Sequence, residues 1–407
     1  MSNQAQPRSA DQAPLSLRQT LGALPPSIWA LGLGSMFMDT SSELVHSLLP
    51  VFMVTVVGAS MATIGVVEGI AEATAAITKV FSGALSDYLR RRKLLAVLGY
   101  GLAAITKPVF PLATTIGWVF TARFVDRIGK GIRGAPRDAL VADITPLPLR
   151  GAAYGLRQSL DSVGAFLGPL LAVGLMAWFA NDLKAVLWVA VVPAFIAVAL
   201  LIVAVHEPEH TQPEQEKPTF FSLAGARRLR PDYWAIVGVG AVFTLARFSE
   251  AFLVLRAQSV GLGVGYVPLV MVVMNVFYAA AAYPAGVAAD RLSRWTLLMA
   301  GLVTLIFADL VLAAATSTWY VLGGALLWGL HMALTQGLLA KLVADTAPAE
   351  LRGTAFGIFN LISGGALLLA SVVAGSVWDR IGPPATFLVG AAFAALATIG
   401  ILIFRKR

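Results

Sequence analysis

The chain has 407 residues, of which 58% are hydrophobic and only 13% are charged. Soluble domains carry about 25% charged residues, so this composition excludes an ordinary soluble protein and indicates one embedded in a membrane. The chain has no cysteine, which excludes disulfides, thiolate metal sites and cysteine nucleophiles. The formal net charge of +8 follows from membrane topology, as argued below, and does not require a nucleic-acid partner.

Long apolar windows recur along the chain, and each is long enough to cross about 30 Å of hydrocarbon as a helix. Unpaired backbone groups are not tolerated in lipid, so we interpret these windows as helices and not as open strands. We predict an all-α polytopic membrane protein with twelve transmembrane helices. These spans, numbered 1 to 12 in chain order, are 27–57, 61–86, 94–114, 117–142, 150–179, 184–205, 233–258, 264–288, 295–315, 318–344, 352–377 and 382–403.

Three polar segments flank the spans. Residues 1–26 are polar, with no short apolar stretch before a cleavage site, and we predict a cytoplasmic N-terminal tail and no signal peptide. Residues 206–232 are rich in Pro and Glu, which is typical of a flexible linker. The predicted organisation is therefore an N-terminal bundle at 27–205, a cytoplasmic linker at 206–232, a C-terminal bundle at 233–403 and a cytoplasmic tail at 404–407.

One internal repeat relates the two bundles. Residues 140–155 read LVADITPLPLRGAAYG and residues 342–357 read LVADTAPAELRGTAFG, at a constant shift of 202. A repeat of half the chain indicates two homologous halves. Six spans in each half give both copies the same orientation in the membrane, which predicts two pseudo-symmetric six-helix bundles.

The basic residues lie on one side of the predicted spans, which sets the orientation. The connections on the opposite side are nearly uncharged, so we expect both termini to be cytoplasmic and the protein to lie in a bacterial inner membrane. The basic residues on the predicted cytoplasmic side are Arg8, Arg18, Arg90 to Lys93, Arg150, Arg227, Arg228, Arg230, Arg291, Arg294, Arg352 and Arg405 to Arg407.

Three motifs fall on the expected spans. The connection between spans 2 and 3 has a Gly, an Asp four residues later and a basic run; this pattern recurs between spans 8 and 9. Residues 127–134 read RIGKGIRG on span 4, and span 5 carries spaced glycines followed by Pro. The residues are Gly83, Asp87 and Arg91; Gly286, Asp290, Arg291 and Arg294; and Gly155, Gly164, Gly168 and Pro169.

These motifs resemble those of the major facilitator superfamily, and the span 5 motif resembles that of its drug or metabolite antiporters. The resemblance implies two halves that rock in alternating access. It also implies that Asp87 and Asp290 act as gating latches at cytoplasmic helix ends, although a solvated turn is the alternative. Ala172-Val173 stands where the family has a Gly pair, and the glycine motif is confined to the first half.

Four carboxylates lie inside the predicted membrane region, where charge is expensive and usually functional. Asp39 and Glu43 share a face of span 1, and Glu68 and Glu72 share a face of span 2. Crowded carboxylates in low dielectric cannot all stay ionised, so we predict that this group carries the coupled proton. The alternative is a fixed ion-pair network with the basic residues of spans 3 to 5.

Polar residues of later spans supply a predicted substrate cavity. The resemblance implies that spans 1, 4, 7 and 10 line this cavity, although a lone His on an apolar helix is more often a packing residue. The candidates are Arg127, Arg247, Glu250, Asn275, His331 and Gln336. We predict no metal site, because no neighbouring ligand cluster accompanies His46 or His331.

The predicted function is proton-coupled secondary transport of a small molecule by alternating access, as an efflux antiporter of a drug or metabolite. The alternative is a proton-coupled importer of an organic anion or metal complex, attracted by Arg127 and Arg247. The sequence has no GxxxxGK[ST] loop for ATP and no GxSxG or HExxH constellation, so we predict neither an enzyme nor a cofactor. The expected partners are a small-molecule substrate, protons and the lipid bilayer, and the expected state is a monomer.

Overall fold

A computed structural model describes residues 17–89, 91–208, 228–335, 337–348 and 351–405, and within them the chain is helical and has no strand. The helices of the first half are α1 Leu17–Gly22, α2 Pro26–Thr55, α3 Met61–Leu89, α4 Arg92–Thr106, α5 Val109–Leu112, α6 Ile116–Ile144, α7 Arg150–Trp178, α8 Leu183–Val189 and α9 Val191–Ala204. Those of the second half are α10 Pro231–Leu245, α11 Ala251–Ser259, α12 Leu269–Arg291, α13 Arg294–Ala313, α14 Thr318–Thr335, α15 Leu338–Thr346, α16 Arg352–Arg380 and α17 Pro383–Arg405.

The helices match the predicted spans closely, and the all-α membrane fold is confirmed. Within the described ranges, seven helical segments are long and apolar enough to cross a membrane. The other predicted spans include α6, whose charges are discussed below, and spans 7 and 10, each of which forms as two shorter helices. The count of twelve crossings, the boundaries of the two bundles and the orientation stay predictions.

Spans 7 and 10 are both interrupted near their middle. Helix α10 ends at Leu245 and α11 begins at Ala251. Helix α14 ends at Thr335, and Gly337 before α15 has a φ of 73°, a left-handed conformation that glycine adopts without a Cβ penalty. Irregular backbone at membrane depth is tolerated where it lines a cavity, so these breaks indicate where a polar site lies.

The internal repeat is visible as matched ion pairs. Arg92 is the first residue of α4 and pairs with Asp143 near the end of α6. Arg294 is the first residue of α13 and pairs with Asp345 near the end of α15, and each partner follows its counterpart by 202 positions. The equivalent ion pair therefore joins equivalent spans in the two halves, which are spans 3 and 4 in the first half and spans 9 and 10 in the second.

The two halves meet along α3 with α16 and along α7 with α12. The carboxylate of Asp379 accepts hydrogen bonds from the amides of Met61 (3.1 Å) and Ala62 (2.8 Å) and so caps α3. Gly375 packs on Met61, and Gly65 packs on Ser371. These contacts lie at the end of α3 that the predicted orientation places away from the cytoplasm.

Helices α2 and α7 pack closely through two of the three span 5 glycines. A Cβ at Gly164 would lie 2.5 Å from the Met36 carbonyl oxygen, and one at Gly168 would lie 2.7 Å from that of Thr40. Gly155 has open space around it, so it does not share this role. Small residues let backbones approach closely in a bilayer, and here they bring span 5 against the acidic helix of span 1.

Candidate functional site: a cavity between the two halves

A cavity of about 560 Å³ lies between the halves and receives side chains from both. Its N-terminal wall comes from α2, α3, α6 and α7, and its C-terminal wall from α10, α12, α14, α15, α16 and the break in span 7. The charged residues in the wall are Glu43, His46, Glu72, Arg127, Lys130, Arg247 and Glu250, and the large apolar ones are Phe243, Phe248, Trp328, Met332 and Phe359.

The N-terminal wall is built on a buried ion-pair network between α3 and α6. Arg123 donates to Glu68 at 2.7 Å, and both side chains are at most 2% exposed. One turn along both helices, Arg127 lies 3.0 Å from Glu72, which Arg123 also approaches at 3.8 Å. Glu68 and Glu72 are four residues apart on α3, and Arg123 and Arg127 are four residues apart on α6, so each set shares one helix face. The ion pairs therefore join the two helices over two successive turns.

His46 connects this network to the cavity. Its Nδ1 lies 3.5 Å from a carboxylate oxygen of Glu43, and its Nε2 lies 3.8 Å from one of Glu68. Glu43 lines the cavity, whereas Glu68 has no exposed surface. An imidazole can accept or donate a proton at either nitrogen. His46 therefore lies, with one nitrogen towards each, between a carboxylate that lines the cavity and one that is fully buried.

A second polar layer lies farther along α6. Arg133 contacts Asp39 at 3.4 Å, while Arg157 lies 2.6 Å from Asp161 on its own helix and 3.7 Å from Asp138. Arg137 lies 3.7 Å from the same Asp161 carboxylate. This layer ties α2, α6 and α7 together beside the cavity.

The four carboxylates predicted to carry the proton do not form one acidic cluster. Glu43, Glu68 and Glu72 surround the cavity wall, whereas Asp39 belongs to the second polar layer. Each of the four has a basic group within 4 Å. The ion-pair alternative describes the surroundings of three of them, because span 4 places Arg123, Arg127 and Arg133 beside Glu68, Glu72 and Asp39. The neighbour of Glu43 is His46 of its own span.

The C-terminal wall is mainly aromatic. The ring of Phe248, in the break of span 7, lies 5.5 Å from those of Trp328 and Phe387, and Phe359 closes the wall from α16. Arg247 and Glu250 come from the same break. Because the break turns the chain away from helical geometry, it presents charge and aromatic surface to the cavity together.

Behind this wall lies Asp309 of α13, which has no exposed surface. Among the described residues neither of its carboxylate oxygens has a hydrogen-bond partner. It packs beside Gly390, where an added Cβ would lie 2.6 Å from its Oδ2 and 2.9 Å from Phe248. Burying a carboxyl group without a partner costs free energy. No feature of the sequence distinguishes Asp309 from the carboxylates that are paired.

The predicted substrate residues separate into three groups. Arg127, Arg247, Glu250 and Asn275 line the cavity, and the Asn275 amide also donates to the Ala165 carbonyl at 3.1 Å across the two halves. His331 is fully buried, its Nδ1 lies 2.8 Å from the Gly301 carbonyl oxygen, and it does not line the cavity. Gln336 lies outside the described residues.

The signature residues lie at the ends of helices. Gly83 packs on Ala135, whose Cβ lies 3.5 Å from the position that a Cβ of residue 83 would take. Arg91 directly precedes α4. Arg291 ends α12, and Arg294 begins α13. The side chains of Asp87 and Asp290 lie outside the described residues, so the gating role assigned to them stays a prediction.

The sequence reasoning did not assign several cavity residues. Lys130 and His46 line the cavity, and neither is among the predicted substrate or proton-coupling residues. The spacing of these residues indicates that they face the cavity with predicted site residues. His46 follows Glu43 by three residues and Lys130 follows Arg127 by three, which puts each pair on one helix face. The aromatic wall gave no signal, because its residues resemble lipid-facing ones in sequence.

The profile of the Major Facilitator Superfamily matches residues 31–255 and 242–407. The chain belongs to the Major Facilitator Superfamily. It is 31% identical to an uncharacterized MFS-type transporter of Methanocaldococcus jannaschii, over 93% of this chain and 95% of that protein. It is 25% identical to a class D tetracycline resistance protein of Salmonella ordonez, over 80% and 82% of the two chains.

Solved structures of the superfamily share the fold. The nucleoside transporter NupG matches with a TM-score of 0.75 and 14% identity, over 94% of this chain and all of that one. The human organic anion transporter MFSD10 matches with a TM-score of 0.60 and 18% identity, over 93% and 100%. At these identities the likeness concerns the fold alone, and the chain is a membrane-embedded transporter by its family.

Proposed function

We propose that this superfamily member is a proton-coupled secondary transporter that moves a small molecule by alternating access, as an efflux antiporter. The carrying observation is the Glu43–His46–Glu68 chain, with distances of 3.5 and 3.8 Å. It runs from the cavity wall to a fully buried carboxylate that is paired with Arg123. A proton that binds to the Glu43–His46–Glu68 chain changes the net charge of the groups that surround Arg123 and Arg127.

The proposed coupling is a competition between a proton and the basic groups for the same carboxylates. When Glu68 is ionised, it holds Arg123 at 2.7 Å and keeps α3 against α6. A proton on Glu68 removes that attraction and leaves Arg123 with Glu72 at 3.8 Å. Rearrangement of a buried pair is a two-state event with a large electrostatic contribution, as a switch between inward- and outward-facing states requires.

Alternating access also needs contacts that can open. On the side predicted to face away from the cytoplasm, the Asp379 cap on α3 and the packing of Gly65 and Gly375 join the two halves. The close packing of α7 on α2 through Gly164 and Gly168 supports the antiporter assignment, because it matches the motif that the resemblance associates with exporters. The likeness to a tetracycline resistance protein agrees with efflux.

The test uses purified protein in proteoliposomes that contain a pH-sensitive dye. Compounds of a drug and metabolite panel, including tetracycline, are added on one side, and proton movement in response to each is recorded. We expect substrate-dependent proton movement in the direction opposite to the substrate. We expect Glu68→Gln and Glu43→Gln to abolish gradient-driven accumulation while unlabelled-for-labelled substrate exchange continues.

The outcome that contradicts coupling is full gradient-driven accumulation in both variants. In that case the Glu43–His46–Glu68 chain is structural. The matched control is Asp182→Asn, at an exposed helix cap outside the cavity, which should transport like the unmodified protein.

Proton-coupled import of an organic anion is the second candidate. It is favoured by one observation, which is that basic side chains from both halves, Lys130 and Arg247, face the cavity without an ion-pair partner within 4.0 Å among the described residues. Substrate and protons moving in the same direction in the vesicle assay would select this candidate.

A further inference from the structure

Two basic side chains of the cavity differ from all the buried ones around them. Lys130 on α6 and Arg247 in the span 7 break line the cavity, and no carboxylate of the described chain lies within 4.0 Å of either. The neighbouring basic side chains already have ion-pair partners, since Arg123 is paired with Glu68 and Arg127 with Glu72. The cavity therefore holds one free cation from each half.

The other charged groups of the wall show which hydrogen-bond donors are already occupied. Glu72 pairs with Arg127 at 3.0 Å, and Glu43 lies 3.5 Å from His46. Glu250 has no basic partner within 4.0 Å among the described residues. An anionic ligand can therefore reach the ammonium group of Lys130 and the guanidinium group of Arg247 without displacing a carboxylate. An ionised acceptor makes the stronger, charge-assisted hydrogen bond with such donors.

The opposite wall has a different chemistry. Phe243, Phe248, Trp328, Met332 and Phe359 present aromatic and thioether surface to the same cavity. Such a wall accepts an apolar body by burial, and its ring faces pack best against another planar group. A small inorganic anion would leave this surface in contact with water.

We propose that the cavity binds an amphipathic organic monoanion, such as an aromatic carboxylate, with its charged head between Lys130 and Arg247 and its apolar body on the Phe248–Trp328–Phe359 wall. A cationic ligand would be repelled by Lys130 and Arg247, and a neutral ligand would make weaker hydrogen bonds with them than an anion does. Because Lys130 and Arg247 come from different halves, the bound anion bridges the interface at which the superfamily places its substrates.

This assignment rests on the proposed transport function, and it deepens that function by naming the substrate class. It holds for export and for import, because it concerns the occupant of the cavity and not the direction of its movement. Direct binding to the purified full-length chain therefore tests it separately from proton coupling.

The experiment is equilibrium dialysis of the detergent-solubilised protein with three radiolabelled probes of one shape: 2-naphthoate, 2-naphthamide and 2-naphthylmethylamine. We expect the unmodified protein to bind 2-naphthoate at least about tenfold more tightly than the amide, because a charge-assisted hydrogen bond contributes more than a neutral one. Lys130→Gln and Arg247→Gln should each remove about tenfold of that preference, and Lys130→Arg should retain it.

The apolar contact has its own readout. Phe359→Ala should weaken the naphthoate and the amide by the same factor, since it removes contact with the ring and leaves the head group untouched. Lys184→Gln, at an exposed site at the start of α8, is the matched control and should change neither affinity. Unaltered thermal unfolding would show that each variant is folded.

Three results would overturn the assignment. These are tighter binding of the amine than of the acid, an acid preference that survives both Lys130→Gln and Arg247→Gln, and no saturable binding of 2-naphthoate up to millimolar concentration. If any of these occurs while the protein in vesicles still couples another compound to protons, the transport function stands and the anion assignment fails.

Discussion

The two halves of this transporter share a fold but divide the chemistry of the cavity between them. Helices α7 and α16 have the same length, and their bounds differ by 202 positions at both ends. At that shift Asp126 corresponds to Trp328, Lys130 to Met332, and Arg157 to Phe359. The first half thus places charged side chains where the second half places apolar ones.

In the proposed function, this difference assigns proton coupling to the first half and contact with the apolar part of the ligand to the second. Ionised side chains at membrane depth are mostly paired or face a cavity, and pairing restricts their movement. Aromatic side chains need no partner, and they form a surface that tolerates ligands of several shapes. A cavity between two such walls is suited to an amphipathic molecule. Four substitutions test this comparison.

The largest effect is expected at the buried pair of the first half. Arg123→Leu should lower the free energy of unfolding by about 3–5 kcal/mol, because it leaves Glu68 charged and buried without its main partner. The measurement is unfolding in mixed detergent micelles. The double variant Glu68→Leu with Arg123→Leu should recover much of the loss, and equal stability of Arg123→Leu and the unmodified protein would contradict the network.

The next effect concerns the packing of span 5 on span 1 through Gly164 and Gly168. Gly168→Ala should lower the free energy of unfolding by about 1–3 kcal/mol, because the new Cβ would lie 2.7 Å from the Thr40 carbonyl oxygen and 2.8 Å from Leu44 N. Gly155→Ala is the matched control, since nothing lies within 4 Å of its Cβ position. A loss at Gly155 as large as at Gly168 would show that helix propensity dominates.

The third effect should have the opposite sign and lies in the second half. Asp309→Asn should raise the free energy of unfolding by roughly 1 kcal/mol, because it replaces an acidic group that has no partner in the described chain by a neutral one of the same shape. The same substitution at a paired carboxylate of the first half, Asp126→Asn, removes the charged partner of Lys107 at 2.9 Å and should destabilise the protein. If both changes destabilise to the same extent, Asp309 is paired in the folded protein.

The smallest effect is expected where the two halves are most alike. Arg294→Gln should cost about 0.2–1 kcal/mol, because its pair with Asp345 is 36% and 45% exposed. Arg92→Gln should cost more, since its pair with Asp143 is 20% and 21% exposed and Arg92 also donates to the Ala139 carbonyl. Comparing both variants in the same unfolding assay gives the difference, and a larger loss at Arg294 would contradict the exposure argument.

Sequence reasoning reached the fold because membrane physics leaves few choices. A run of about 20 apolar residues must be helical in lipid, and a repeat at a constant shift must give two related halves. The same physics identified the charges inside the membrane, since Glu43, Glu68, Arg123 and Arg127 stand out against an apolar background. The helix breaks near Arg247 and Gly337 were not predicted, because tertiary packing decides where irregular backbone is tolerated.

The sequence by itself determined which residues are charged at membrane depth, which helix face each occupies and how the two halves correspond. The tertiary structure alone decided which charges meet. Glu68 is bound to Arg123, whereas Lys130, on the same helix as Arg123, is left facing the cavity. That distinction depends on how α3, α6 and the span 7 break approach one another, and an ion pair requires its two atoms within about 4 Å, a distance that spacing along one chain does not specify.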